Sequence, residues 1–204
     1  SVAMLADDEG LRPRTREELR SEMAAVISRA DDAAAAVAQV RSIRRRELWR
    51  IGCADLLGHA DVTSVGTGLT ALMSATLDAA LSASMTEVAP AKGPALAVMA
   101  MGRFGGGELG YGSDADVMFV QQVDADQDEP QLNQSCIDII ARLRSLLSAP
   151  SPEPRVDLDA DLRPEGRNGP LVRSVDSYAA YYAQWSQVWE SQALLRSSFA
   201  AGSD

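Results

Sequence analysis

Histidine and cysteine are nearly missing from this chain: among 204 residues there is one histidine, His59, and two cysteines, Cys53 and Cys136. A lone histidine cannot build a zinc site or a Ser-His-Asp triad, and with no C-x-x-C pair those chemistries fall away. A single conceivable disulfide is too little to imply an oxidising compartment, so both thiols are expected as small buried hydrophobes. No run of about 18 apolar residues occurs, and the N-terminus lacks the charged, apolar and small-residue succession of a secretion signal. The chain therefore reads as cytoplasmic, with no membrane partner. Basic charge is also short, since 19 Lys and Arg face 29 Asp and Glu for a formal net charge of -10. That balance argues against a nucleic-acid partner, because neutralising phosphates along a strand needs a basic surface. It leaves room for a small phosphate substrate, since carboxylates gathered at one site are offset by bound divalent cations.

What is present is globular: 46% hydrophobic and 24% charged residues place the chain far from the polar profile of disorder. The first dozen residues, with Asp7, Asp8, Glu9, Gly10 and Pro13 nearby, read as an exposed leader. Leu19, Met23, Val26 and Ile27 recur at helical spacing, and Asp31 with Asp32 breaks the pattern before the run Ala33 to Val40. A second helix is expected through Leu57, with Leu48, Ile51, Ala54 and Leu57 as its apolar stripe. Arg41, Arg44, Arg45, Arg46 and Arg50 then form a solvated basic face. A third helix is expected from Thr63 to Ser84, weakened at its start by Gly66 and Gly68, and Pro90 to Pro94 reads as a linker.

A different architecture begins at Ala95. Ala95 to Met101 and Asp116 to Gln121 have the apolar profile of buried strands, separated from a helix at Leu132 to Leu147 by the acidic loop Asp124 to Pro130. Pro150 to Pro154 breaks the chain, and Val156 to Leu162 alternates apolar and acidic residues as a half-solvated strand does. Ser174 can cap a last helix from Val175 to Ala200, in which Tyr178, Tyr181, Tyr182 and Trp185 are core or rim residues. The expected class is α+β: a helical segment over 1–90, then a region of strands and helices over 91–204.

The chemistry concentrates in Met101 to Phe119, MGRFGGGELGYGSDADVMF. Glycines after a strand permit positive φ and close approach of amides to an anion, so this turn can cradle phosphate oxygens; it can also be no more than a tight turn. Asp114 and Asp116 lie two apart on an extended segment and so share a face, where they repel unless cations sit between them. Oxygen-only ligands favour magnesium or manganese. A third carboxylate is available on the strand Val156 to Leu162, where Asp157, Asp159 and Asp161 share a face by the same period, and composition does not choose among them. Two cations on three such acids would activate an attacking oxygen and hold a leaving pyrophosphate. The EF-hand and P-loop alternatives fail, for want of the third oxygen ligand and position-twelve glutamate in one case and of G-K-[ST] in the other.

Gly102, Gly106, Ser113, Asp114 and Asp116 resemble the signature of the nucleotidyltransferase superfamily that includes DNA polymerase beta. Gly102 to Gly106 with Glu108 to Asp116 is similar, more narrowly, to the G-K-x-G-G-x-E-L-x-x-x-S-D-x-D block of the glutamine synthetase adenylyltransferase and adenylyl-removing family. Leu162, Arg163, Pro164, Gly166, Gly169, Leu171 and Val172 resemble its L-R-P-x-G-x-x-G-x-L-V element. Trp189, Glu190, Gln192, Ala193 and Arg196 resemble its W-E-x-Q-A-x-x-x-R helix, and RRELWRIGCADLL from Arg45 to Leu57 resembles the segment before its core. Arg103 departs from the family's lysine, and Asp161 stands where the family often has arginine.

The resemblance implies that 91–204 is a nucleotidyltransferase catalytic core with a small mixed sheet flanked by helices. It implies transfer of AMP from ATP to a glutamine synthetase tyrosine, with Asp114, Asp116 and Asp159 holding two magnesium or manganese ions. It also implies that Gly102, Gly105, Gly106 and Ser113 contact the triphosphate and that Arg163 steadies a phosphate or the acidic strand. Trp189 and Glu190 are expected to brace the core. The family joins an adenylylating half to one that removes AMP by phosphorolysis, and the stretch ELGYGS resembles the adenylylating half, since the removing half more often has asparagine in place of Gly110. A PII-type signal protein is implied as a partner through the whole enzyme, and the chain is expected to be a fragment continued by a helical domain.

Overall fold

The computed structural model describes residues 8–89, 93–124 and 127–203, apart from the side chains of residues 8 and 9. Four helices come first: α1 (Asp8–Leu11), α2 (Arg16–Ile27), α3 (Ala33–Leu56) and α4 (Val62–Val88). Their starts are written in the sequence. The Thr15 hydroxyl accepts from Glu18 N while Thr15 N donates to the Glu18 carboxylate, a reciprocal capping box. Asp32 accepts from Ala35 N at 2.7 Å and Asp61 from Ser64 N at 2.7 Å, each relieving an orphan donor in a first turn.

The long α4 is the spine of the fold. Its small residues Ala75, Ala79, Ala80 and Ala83 are buried and let α2, α3, a later helix and a sheet strand pack close around it. Gly66 belongs to the same logic: a Cβ there would lie 3.2 Å from Gly107 O, so the glycine that weakens the helix start admits the backbone of the signature loop.

The sheet comprises β1 (Ala95–Ala100), β2 (Ala115–Gln122), β3 (Leu158–Asp159), β4 (Val172–Ser174) and β5 (Ser198–Gly202). β1 lies between β2 and β5, antiparallel to both. Two short strands share the other edge of β2 in parallel, β3 opposite Ala115 and Asp116 and β4 opposite Phe119 to Gln121. Between β1 and β2 stands the single-turn helix α5 (Gly102–Gly105), and between β2 and β3 runs α6 (Glu129–Ser148). One face of the sheet, through Leu96, Val98, Val117 and Phe119, joins a core shared with α2, α3, α4 and α6, continuous from Leu19 to Ala201. The other face carries a smaller cluster of Met101, Met118 and Tyr178 under α7 (Val175–Gln184) and α8 (Val188–Leu194). This is the α+β class expected, with helices on both sides of a small mixed sheet.

Several boundaries differ from the sequence reading. The chain before α2 is no exposed leader throughout, because Leu11 is buried. The run Ala33 to Val40 and the helix after it are one helix of 24 residues. Pro90 falls outside the described residues with its two successors, as do positions 125 and 126 of the acidic loop; α6 starts already at Glu129, capped by Asp128.

The basic face of α3 is not simply solvated: Arg41 and Arg44 are buried, and Arg41 donates to the carbonyls of Ala149 and Glu153 at 2.7 and 2.9 Å, fastening the break after α6. Leu57, assigned to the apolar stripe, is 55% exposed because α3 ends beside it. The helix expected over Val175 to Ala200 is α7, α8 and β5, since Trp185 to Gln187 interrupt it and the last apolar residues pair with β1 instead. The strand expected over Val156 to Leu162 shrinks to two residues, and β4 had no signal strong enough to be read. Both cysteines are free, Cys136 buried and Cys53 half-buried.

Candidate active site

The site is built where β1 hands over to β2. Met101 N donates to Asp116 O at 2.8 Å, closing the sheet edge at the point where the acids begin. Gly102 then takes φ +55, and a Cβ there would lie 2.7 Å from Asp116 Oδ2, so only glycine turns the chain beneath that carboxylate. Gly105 and Gly106 have another reason. A Cβ on Gly105 would overlap the Arg196 carbonyl and stand 2.6 Å from Ala100 O, and one on Gly106 would overlap the Arg196 guanidinium. Arg196 also pairs with Glu108. The motif after α8 thus closes over the glycine turn, a contact the separate sequence blocks did not reveal.

Asp116 and Asp159 are register partners across the parallel β2–β3 pair, and Asp114 precedes β2 by one residue. Neighbouring strands lie about 4.8 Å apart, so this pairing puts two acids side by side. The Asp116 carboxyl is held above the ordinary carboxylate range, first by its partial burial and then by the negative charges of Asp114 and Asp159, with Arg103 opposing. As the side chains stand, no three His, Cys, Asp or Glu groups among the described residues gather closely enough to hold a metal ion. Asp159 Oδ1 is engaged locally, accepting from Asp161 N at 2.7 Å. The donor set still suits a hard divalent cation, being oxygen only, with its negative charge unbalanced at Asp116.

That hydrogen bond also ends the strand. The chain turns after Asp159, so the seven-residue alternation behind the shared face of Asp157, Asp159 and Asp161 is cut to two residues, although all three acids border one cleft. Asp157 is exposed and paired with Arg155 at 2.8 Å, while Asp161 meets Arg167 at 2.5 Å and lies 3.8 Å from Arg163. A cleft of about 430 Å³ opens here, lined by the acids Asp114, Asp157, Asp159 and Asp161 together with Arg144, Arg163 and Arg167. Arg163 is buried and donates to the carbonyls of Ala160, Gly169 and Arg167 at 2.7, 3.1 and 3.1 Å, so it steadies the turn after the acidic strand, one of its two expected roles. Arg144, on α6, went unnoticed in the sequence; its guanidinium lies 5.9 Å from the Phe119 ring centroid, and partial burial followed by Arg163 lowers its pKa. A larger groove of about 940 Å³ between α2, α3 and α4 contains none of the site acids.

The turn after β3 is held from behind. Glu165 and Gly166 take φ of 65 and 57, and Glu190, 1% exposed, accepts from Glu165 N at 2.9 Å, from Gln187 N at 2.6 Å and from the Tyr181 hydroxyl. A non-glycine residue at positive φ persists only when its surroundings over-determine it. Glu190 does brace the structure as expected; Trp189 does not, being 46% exposed, and Trp185 is 69% exposed. Ser113 Oγ accepts from Gly110 N at 3.2 Å, closing the turn that delivers Asp114.

A small mixed sheet with an acidic pair at the head of one strand, a third acid on its parallel neighbour and a glycine turn alongside has the form of a nucleotidyltransferase-like α+β fold. Residues 2–204 match a family model described as glutamate-ammonia ligase adenylyltransferase. Relatives named bifunctional glutamine synthetase adenylyltransferase/adenylyl-removing enzyme are 48% identical in Cutibacterium acnes, over 99% of this chain and 20% of the relative, and 46% identical in Streptomyces coelicolor, over 100% and 22%. One from Mycobacterium bovis is 52% identical over 87% of this chain and 18% of its own. The chain belongs to the glutamate-ammonia ligase adenylyltransferase family, and it spans about a fifth of the length of the curated relatives it matches. No helix among the described residues is long and apolar enough to cross a membrane.

Proposed function

We propose that this chain carries an adenylyltransferase centre that moves AMP from ATP to a tyrosine hydroxyl of glutamine synthetase, releasing pyrophosphate. The observation that carries the reading is the register pairing of Asp116 with Asp159 beside Asp114, next to a cleft that Asp114 and Asp159 line together with Arg144, Arg163 and Arg167. Asp114, Asp116 and Asp159 would hold two magnesium or manganese ions, which when bound supply Lewis acidity toward the attacking hydroxyl and the phosphate oxygens. The chain's own residues do the rest. Gly102 keeps the space beside Asp116 clear, and the Ser113 turn with the neighbouring glycines borders the path of the triphosphate. Arg144 and Arg167, in the lining of the same cleft, offset phosphate charge, while Arg163 holds the turn that carries Asp159 and Asp161. Through the longer enzyme, activity on glutamine synthetase would answer to a PII-type signal protein.

The test offers labelled ATP, magnesium and glutamine synthetase to the chain. Label is expected on the target tyrosine and is lost in Asp114→Asn and Asp116→Asn; equal labelling by these variants overturns the assignment. Release of ADP from adenylylated target and phosphate, without forward labelling, would assign the chain to the removing reaction instead.

A further inference from the structure

Charged side chains inside a protein come with partners, because an uncompensated buried ion is strongly disfavoured. Arg44 breaks that rule. It is 7% exposed, and its Nε and Nη1 atoms are buried without a hydrogen-bond acceptor. Its companion Arg41, one turn earlier on α3, uses both Nη atoms on carbonyls, so α3 itself does not prevent satisfaction. Burial first, and the like charge of Arg41 second, bring the Arg44 pKa down to about 10, which still leaves a full positive charge at neutral pH.

Its position gives the anomaly a direction. The guanidinium lines a cavity of about 10 Å³, room for a single water, whose other walls include Leu72 and Met73 of α4 and Leu109, Gly110, Tyr111 and Ser113 of the signature loop. No acid lines that cavity, and the acid of α3 that touches the loop is at the far end of the helix: Asp55 accepts from the Tyr111 hydroxyl at 2.9 Å. So α3 and α4 grip the loop by Tyr111 and by the Gly66 approach, and place behind its turn one cation that nothing in the loop neutralises. Apolar walls keep the local dielectric low, which lengthens the reach of that charge.

We propose that Arg44 is a positioning residue for the nucleotide, whose buried charge is balanced across the Gly110–Ser113 turn by the triphosphate when ATP occupies the site. The proposal rests on the adenylyltransferase reading and deepens it, by giving the helical segment a part in substrate binding. Coupling between charge and ligand is reciprocal: phosphate relieves the cation, and the cation tightens the hold on phosphate. A residue kept for this purpose makes the empty protein less stable than it could be, as local violations of packing rules at functional sites do.

The experiment measures binding of ATP with magnesium, and of inorganic triphosphate, by calorimetry on the whole 204-residue chain, together with thermal melts. Arg44→Met is expected to bind both ligands roughly ten-fold more weakly, the size of one charge interaction in a partly desolvated setting, while melting no lower than the parent without ligand. Arg44→Lys, which keeps the charge, should stay within about three-fold of the parent, and KM for ATP should rise in Arg44→Met with kcat little changed. Unchanged affinity in Arg44→Met, or a lower melting point with binding intact, overturns the proposal and makes Arg44 a structural residue. Should Arg44→Met fail to fold, Arg44→Lys and Arg44→Gln decide, equal affinities again overturning it. No binding of either ligand by the parent chain sinks the adenylyltransferase reading and this proposal together.

Discussion

Two acidic centres in this molecule are treated in opposite ways. Glu47, in the middle of α3, is buried and surrounded by cations: Arg14 at 3.5 Å, Arg46 at 3.1 Å and Arg50 at 2.9 Å. Asp116, at the head of β2, is half-buried with two further acids as its electrostatic neighbours, so its proton is held more tightly than usual. The first arrangement is complete without any other molecule. The second is not, since Arg103 alone opposes the acids around Asp116, and that difference is what the proposed metal-binding role of Asp116 would require.

The sharpest way to break this comparison is to neutralise one acid in each centre. Asp116→Asn should reduce AMP transfer to glutamine synthetase on the order of 10³-fold, as loss of a central electrostatic group does, while the ligand-free protein melts no lower than the parent. Glu47→Gln should do the reverse, lowering stability by about 2–3 kcal/mol in urea titration, short of the full buried-pair range because its arginines keep some contact with water. If Asp116→Asn is the destabilised variant and Glu47→Gln the inactive one, the assignment of the two centres is inverted.

Gly102→Ala tests the space beside Asp116: with φ +55 and a Cβ 2.7 Å from Oδ2, it should cost about 1–2 kcal/mol and lower transfer by displacing the carboxylate.

A pH series sharpens the contrast further. Because the folded pKa of Asp116 is raised, the folded state binds its proton more readily than the unfolded chain, so this group penalises folding above its folded pKa and the penalty fades as pH falls through that value. Glu190 behaves oppositely. Burial pushes it up, but hydrogen bonds from Gln187 N, Glu165 N and the Tyr181 hydroxyl bring it down on balance, so its contribution is present above the unfolded pKa and is lost as pH falls through the folded one. Melting temperatures of Asp116→Asn and Glu190→Gln should therefore differ from the parent in opposite senses at neutral pH, the first higher and the second lower, and both differences should shrink as pH falls through the carboxylate range.

The smallest effect belongs to Asp157, exposed and paired only with Arg155: Asp157→Asn should change stability by under about 0.5 kcal/mol and leave transfer intact.

Asp157 also shows what could be read from the chain beforehand. Alternation of apolar and acidic residues from Val156 correctly announced extended backbone, but three equivalent acids on one face required the strand to continue. It stops at Asp159 because that carboxylate captures Asp161 N, a local bond that periodicity cannot see. Likewise the glycines at 105 and 106 were recognisable as special, yet their reason, the carbonyl and guanidinium of Arg196, lies some ninety residues away. Arg144 drew no notice in the sequence, because only the docking of α6 sets it against Phe119 and the acidic cleft. The basic run on α3 misled for the same cause, since burial of Arg41 and Arg44 depends on what packs over the helix.

The sequence by itself determined the class of the fold, the caps at Thr15, Asp32, Asp61 and Ser174, the spacing of Asp114 and Asp116, and the family. All of these rest on interactions within a few residues or on motif order. Motif order also pointed to Asp159 as the third acid, but tertiary structure decided that it pairs in register with Asp116, that the last apolar run becomes a strand against β1, and that Arg44 is buried behind the signature loop with Nε and Nη1 unpaired. Those outcomes turn on strand register and on burial, which are set by contacts between distant segments and leave no periodic trace in the chain.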